Sequence, residues 1–195
     1  MTLDVRQLTG GALAGALDRV AQLRIEVFRD WPYLYDGTLS YEQRYLQVYQ
    51  DNPRAVLAGA FDGDTLVGAA TGMPMQDHAD EFASAFAGSG HALSDIFYCA
   101  ESVLLPPHRG KGAGHRFFDI REGFAAQLGA KYVAFCAVQR PVDHPMRPTG
   151  YRPLDPFWRK RGYAPLPGVV AHFHWTDIGH SAQSAKPLQF WIKPL

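Results

Sequence analysis

Ser102-Val103-Leu104-Leu105-Pro106-Pro107-His108-Arg109-Gly110-Lys111-Gly112-Ala113-Gly114 decides the reading of this chain. An apolar, strand-like run stops at two prolines, which cannot donate to a sheet ladder. A glycine-rich turn follows and opens an amphipathic segment. The first turn of a helix leaves backbone N–H groups without intrahelical partners and carries the positive end of the helix dipole. Glycines let an anion approach that backbone with no Cβ in the way. Arg109 and Lys111 add positive charge. The stretch therefore reads as an anion cradle suited to a pyrophosphate. It is not a P-loop, because no Gly-Lys pair is followed by Ser or Thr. It is not a dinucleotide fingerprint either. His115 and Phe117 occupy the positions where a third glycine would fall, and no acidic residue closes the next strand about 20 residues on.

Working outward, residues 112–128 read as a helix with Phe117, Ile120, Phe124 and Leu128 on one face, stopped by Gly129. Residues 95–105 and 131–138 are apolar strands on either side of it. Towards the N-terminus, residues 54–61 and 65–73 flank Asp62-Gly63-Asp64 as a hairpin. Residues 3–8 read as a first strand. Leu13, Leu17, Val20, Leu23 and Val27 then recur at helical spacing. Ser40-Tyr41-Glu42-Gln43 suggests a capping box for a second helix that ends at Asn52-Pro53. Phe82 and Phe86 mark a short helix within 74–94. After the strand at 131–138 come a five-proline loop (139–156), a short helix (155–161) closed by Gly162, and strands at 169–175 and 188–192. Helices interleave with strands, yet the hairpins require antiparallel neighbours. The expected class is α/β (α+β): a mixed, mostly antiparallel central sheet with helices on both faces.

The chain has 195 residues, 47% hydrophobic, 13% aromatic and 19% charged. That length fits one domain over residues 1–195, since domains run to about 100–200 residues. Nineteen Lys+Arg balance nineteen Asp+Glu, and zero net charge argues against nucleic acid as the main partner. No apolar stretch approaches the roughly 18 residues of a membrane span. The small-residue run at 10–17 lacks a basic leader and reads as a helix start. No membrane association and a cytoplasmic location are expected, and a homodimer is left open. Cys99 and Cys136 lie in strand-like runs and read as small hydrophobes rather than a disulfide framework.

Arg109-x-x-Gly112-x-Gly114 resembles the R/Q-x-x-G-x-G/A signature of the GNAT superfamily of acyl-CoA N-acyltransferases. Residues 101–106 look like the strand before that signature. Phe157-Trp158-Arg159-Lys160-Arg161-Gly162-Tyr163 looks like the late helix ending in Gly-Phe/Tyr. The element order is similar over nearly the whole chain. The resemblance implies acetyl-CoA (coenzyme A) as co-substrate. Gly110, Lys111, Gly112, Ala113, Gly114 and His115, with Arg109, would hold the pyrophosphate. The backbone of Val103 and Leu104 would pair with the pantetheine arm, whose two amides can add to a sheet edge. The strands carrying 95–105 and 131–138 would splay to admit it. The implied function is acyl-CoA-dependent N-acyl transfer, most simply acetyl transfer to a primary amine of a small molecule, by direct attack through a tetrahedral intermediate. The alternative is a non-catalytic acyl-CoA-binding or sensor protein that keeps the fold.

Such chemistry needs a neutral amine, although a free alkylamine has a pKa near about 10.4. Glu101, in an apolar strand just before the pantetheine segment, is the candidate base; binding the substrate's cation or serving structure are its other roles. The late-helix Tyr that many relatives place four residues before Gly162 is Trp158 here, and an indole is no proton source. The acid is then Tyr151, water or none; Tyr163 reads as packing. Arg29, Trp31, Tyr33 and Tyr35 fall where the family builds a wall of the acceptor pocket, or else form a loop packed over the core. His172 and His174 share one strand face, but no third ligand stands at recognisable spacing, so no metal is expected.

Overall fold

The computed structural model describes residues 3–195. One seven-stranded sheet runs in the order β1-β2-β3-β4-β5-β7-β6. The strands are β1 (Asp4–Leu8), β2 (Val56–Asp62), β3 (Thr65–Pro74), β4 (Ile96–Leu104), β5 (Tyr132–Val138), β6 (Ala164–Thr176) and β7 (Gln183–Pro194). Neighbours pair antiparallel except β4 and β5, which are parallel. The helices are α1 (Gly10–Phe28), α2 (Leu39–Gln50), α3 (Ala79–Phe86), α4 (Ala113–Gln127) and α5 (Asp155–Lys160). This is the expected mixed, mostly antiparallel sheet.

Helices cover both faces, and that explains the strand composition. Along β2, Leu57 joins the cluster under α1 and α2, while Val56, Ala58 and Ala60 join clusters formed with α4. A strand covered on both sides reads as a continuous apolar run, not an alternating one. Phe82 of α3 is wholly buried and meets Tyr98, Phe190 and Phe173 at ring separations of 4.7, 5.3 and 6.0 Å. Truncating such a ring typically costs about 3–5 kcal/mol.

Two local expectations change. The N-cap of α2 is Thr38, without a side-chain cap bond, and the Gln43 amide donates instead to Asp18 of α1 at 2.9 Å. No capping box forms, because Gln43 ties the two helices together. In α4 the buried set is Ala113, Phe117, Phe118, Arg121 and Ala125, and Leu128 is exposed. Residue 128 lies past the end of the helix, where the chain is already turning away.

Candidate active site

The glycine turn sits where β4 ends. A short 3-10 turn, Pro106–His108, leads into Gly110 and Gly112, both at positive φ (75° and 83°). Gly112 is the N-cap of α4, and no side chain caps the helix start. The His115 and Arg116 N–H groups return to the Gly112 carbonyl. Those of Ala113 and Gly114, in the first turn, have no intrahelical carbonyl partner and point out of the helix end. A Cβ at Gly110 or Gly112 would meet nothing within 4 Å. The cradle is thus open space bounded by N–H donors, as a pyrophosphate requires. Arg109 folds back, its Nε donating to the Leu104 carbonyl at 2.9 Å. Lys111 is exposed, and the His115 ring rests on Phe157 with Nδ1 at 3.3 Å from Arg161.

Upstream, β4 and β5 pair only from Ile96 to Tyr98 and then part. Beyond that point one edge of β4 has no strand beside it among the described residues. Leu105 N–H donates to Val67 O, towards β3. Alternation then turns the Val103 polar groups to β3 as well, and those of Ser102 and Leu104 to the open edge. Of the two residues expected to meet pantetheine, Leu104 is the one whose amide lies on that edge.

The β3–β4 register slips between Ala70 and Gly72: Ala70 faces Ser102 while Gly72 faces Cys99, so Ala100 and Glu101 together oppose Thr71. This is a bulge, which re-aims side chains and bends the strand. Arg121 of α4 fills it. The guanidinium is almost wholly buried and has no carboxylate among the hydrogen bonds it makes. It donates to the carbonyls of Thr71 and Glu101 (both 3.2 Å), to Phe117 O (3.3 Å) and to Ser102 Oγ (2.9 Å). The strand's irregular carbonyls are thereby satisfied from the opposite face.

The bulge delivers Glu101 to the wall of a cavity of about 400 Å3 that spans the gap between β4, β5 and the end of β6. The carboxylate is held at both oxygens. Thr71 Oγ1 donates to Oε1 and Arg24 Nη1 to Oε2, each at 2.6 Å. Arg24 also donates through Nε to the buried Glu42 of α2. Its guanidinium lies over the rings of Tyr45 (4.3 Å) and Phe28 (5.1 Å). Burial disfavours that charge, but Glu101, Tyr45 and Glu42 outweigh it and raise the Arg24 pKa well above normal. The rest of the lining is mainly aromatic, with Tyr33, Tyr35, Tyr98 and Trp175 prominent and His172 and His174 exposed on β6. Burial raises the phenols of Tyr33, Tyr35 and Tyr98, so they stay protonated near neutrality.

The sequence-selected residues divide accordingly. Glu101, Tyr33 and Tyr35 meet at one cavity. Arg29 does not line it; it forms an exposed pair with Asp36 at 3.0 Å. Trp31 and Tyr151 lie outside the lining and pack edge-on against each other, centroids 5.9 Å apart, with His144 beside Trp31. Trp158 is packed on Phe135 and Trp191, and Tyr163 is buried with its hydroxyl donating to Glu122. Arg24, Tyr45, Tyr98 and Trp175 were not singled out from sequence. A run of aromatic residues at helical spacing, Tyr41-x-x-x-Tyr45-x-x-x-Tyr49, was the available sign for Tyr45.

A second cluster sets the far wall. Asp177, just after β6, accepts two hydrogen bonds from Arg140, both 2.8 Å, and one from Trp175 Nε1 at 3.0 Å. Arg140 also donates to the carbonyls of Pro32 and Tyr33, and the buried Lys186 stands 3.6 Å from Asp177. The loop that carries Tyr33 and Tyr35 is fastened to β6 in this way.

The family model described as the Acetyltransferase (GNAT) family matches residues 19–149. Solved structures share the fold over the full length. An acetyltransferase from Thermus thermophilus aligns over 100% of this chain and 98% of its own at 19% identity, TM-score 0.54. The PaiA N-acetyltransferase of Thermoplasma acidophilum, in complex with coenzyme A, covers 100% of both chains at 15% identity, TM-score 0.57. The ribosomal-protein-alanine N-acetyltransferase of Brucella melitensis covers 99% of this chain and 100% of its own at 12% identity, TM-score 0.63. At these identities the likeness is one of fold. No curated protein matches the chain significantly in sequence.

Proposed function

The chain belongs to the acetyltransferase (GNAT) family and is an N-acetyltransferase that uses acetyl-CoA; from that premise we propose that it acetylates the primary amine of a small molecule in the cytoplasm, by direct attack through a tetrahedral intermediate. The observation that carries this reading is the cavity of about 400 Å3 that opens where β4 and β5 part, with Glu101 in its wall. Its size is at the lower end of small-molecule sites, roughly 300–1,000 Å3.

Gly112, Ala113 and Gly114 would hold the pyrophosphate through backbone N–H groups, with Arg109, Gly110, Lys111 and His115 around it. The open edge at Ser102 and Leu104 would take the pantetheine amides. The bound thioester supplies an activated acetyl group at that edge. Glu101, fixed in orientation by Arg24 and Thr71, takes the proton that the incoming ammonium must lose. The amine nitrogen then bonds to the carbonyl carbon, the C–S bond breaks, and the second proton that the nitrogen sheds on becoming an amide passes through water to the departing thiolate. The Ser102 N–H, on the same open edge and next to Glu101, would stabilise the oxyanion, leaving the Leu104 N–H and the Ser102 carbonyl to the pantetheine amides. Trp158 is occupied in packing and Tyr151 lies outside the cavity, so water is the proton source for the thiolate. Positioning of the amine can supply much of the rate without a dedicated acid.

Thiol release from acetyl-CoA over a panel of primary amines tests the reading. Turnover of at least one small amine well above hydrolysis is expected. Acetyl-CoA should also raise the melting temperature more than ATP or NAD at equal concentration, because a ligand that binds only the folded state stabilises it. Turnover confined to peptide or protein amines would overturn the acceptor assignment.

A further inference from the structure

We propose that the acceptor is an aromatic primary amine without a carboxylate, a ring on a short link, bound with its ring among the cavity's aromatic side chains and its ammonium towards Glu101. This rests on the cavity being the acceptor site. Two observations carry it: what lines the walls, and what the nearby cations are already doing.

The walls are ring-rich. Phe28, Tyr33, Tyr45, Tyr98, Phe173 and Trp175 all contribute. Phe28 and Tyr33 are 4.3 Å apart, and Tyr33 and Trp175 are 6.0 Å apart. Rings favour another ring in offset or edge-on contact, and their faces attract a cation. Of the charged groups that line the cavity, Glu101 is paired with Arg24, whose guanidinium is shared with Glu42 behind it. The cation beside Glu101 is thus divided between two acids, which leaves the Glu101 carboxylate as the group an ammonium would approach.

A carboxylate on the acceptor would need a cation, and the nearby ones are engaged. Arg24 already carries two carboxylates. Arg140 is held at two nitrogens by Asp177, Lys186 is buried against Ser184 and Asp177, and Arg29 pairs with Asp36. His172 and His174, exposed on β6, are the remaining basic groups of the lining. An amino acid entering here would find Arg24, already shared by two acids, as the one guanidinium or ammonium among the described lining residues, so its carboxylate would give up hydration for imidazole, amide and hydroxyl contacts alone.

Matched pairs of acceptors test this. Phenethylamine and tryptamine are compared with phenylalanine and tryptophan, and with the linear amines butylamine and spermidine, by thiol release and by calorimetric titration of the CoA-bound protein. The expected result is a kcat/KM for each aromatic amine at least tenfold above its amino acid and above both linear amines, with dissociation constants in the same order. Tyr45→Leu should raise the KM for phenethylamine about tenfold and leave that for acetyl-CoA unchanged. Equal or better use of phenylalanine, or a lead for spermidine or butylamine, overturns the acceptor class while small-amine acetylation stands. Acetyl-CoA binding with no turnover of any amine and no calorimetric signal overturns both.

Discussion

Glu101 is buried yet lines a cavity, and both its oxygens are already engaged. A carboxylate so placed is oriented before any ligand arrives. Glu101→Gln preserves its size and its contact with Thr71 but removes proton acceptance. Loss of a general base typically costs about 10²–10⁴ in rate. The expected result is a fall in kcat of about a hundredfold or more, an unchanged KM for acetyl-CoA, and an altered acidic limb in the pH profile of kcat/KM. A rise in the amine KM with kcat intact would make Glu101 an anchor for the ammonium instead. Glu101 stood out in the sequence because it is a lone carboxylate in an apolar strand just before the segment expected to meet pantetheine. Its partner Arg24 was not: it lies 77 positions away, and hydrophobic periodicity counts a buried arginine as a solvent position. Glu42 was read only as part of a cap, although its carboxylate is wholly buried on Arg24.

The strand–turn–helix formed by β4, the glycine turn and α4 was the most readable element, since prolines, glycines and periodicity all agree there. Gly112→Asp and Gly112→Asn separate charge from shape in the cradle. Both put a similar side chain into open space at a φ of 83°, which Asn and Asp tolerate better than other residues. The aspartate should bind acetyl-CoA at least tenfold more weakly than the asparagine by calorimetry, through repulsion of the pyrophosphate. The bulge in β4 left no trace in composition, because one extra residue changes the register and not the residue types. Arg121 looked like a polar position on α4 for the same reason as Arg24. Arg121→Met should leave the carbonyls of Thr71 and Glu101 without their donor, at about 1–3 kcal/mol each. Urea unfolding should show a loss of about 2 kcal/mol or more. Arg121→Lys, which keeps the charge but not the planar fork, should recover only part of it.

Over the whole molecule the element order was readable, while the insertion of β7 between β5 and β6 was not, since it depends on pairing between distant segments. The five-proline loop hid a structural role in the same way: Arg140 reaches back more than a hundred positions to Pro32 and Tyr33. Asp177, at the centre of that junction, is disfavoured as a charge by burial, but Arg140, Lys186 and the Trp175 indole outweigh this and hold its pKa below the usual carboxylate value. A depressed native pKa gives stability that is complete above the unfolded value, about 3.9, and is lost as pH falls through the lower native one. Asp177→Asn should therefore destabilise the protein at pH 7, by about 1–3 kcal/mol as loss of hydrogen bonds to a charged group does, and the gap to the parent should narrow as pH falls below about 3.9 in acid titrations of stability. The junction also has a consequence in time. Asp36 N–H is bonded to Thr176 O, and Ile178 N–H to Leu34 O, across about 140 residues of chain. Two amides so distant in sequence and so close in space exchange with solvent only when the seam between them opens. In deuterium exchange they should behave as one cooperative unit with a single opening rate. Arg140→Ala should speed both by the same factor, tenfold or more, while the amides of β2 keep their protection.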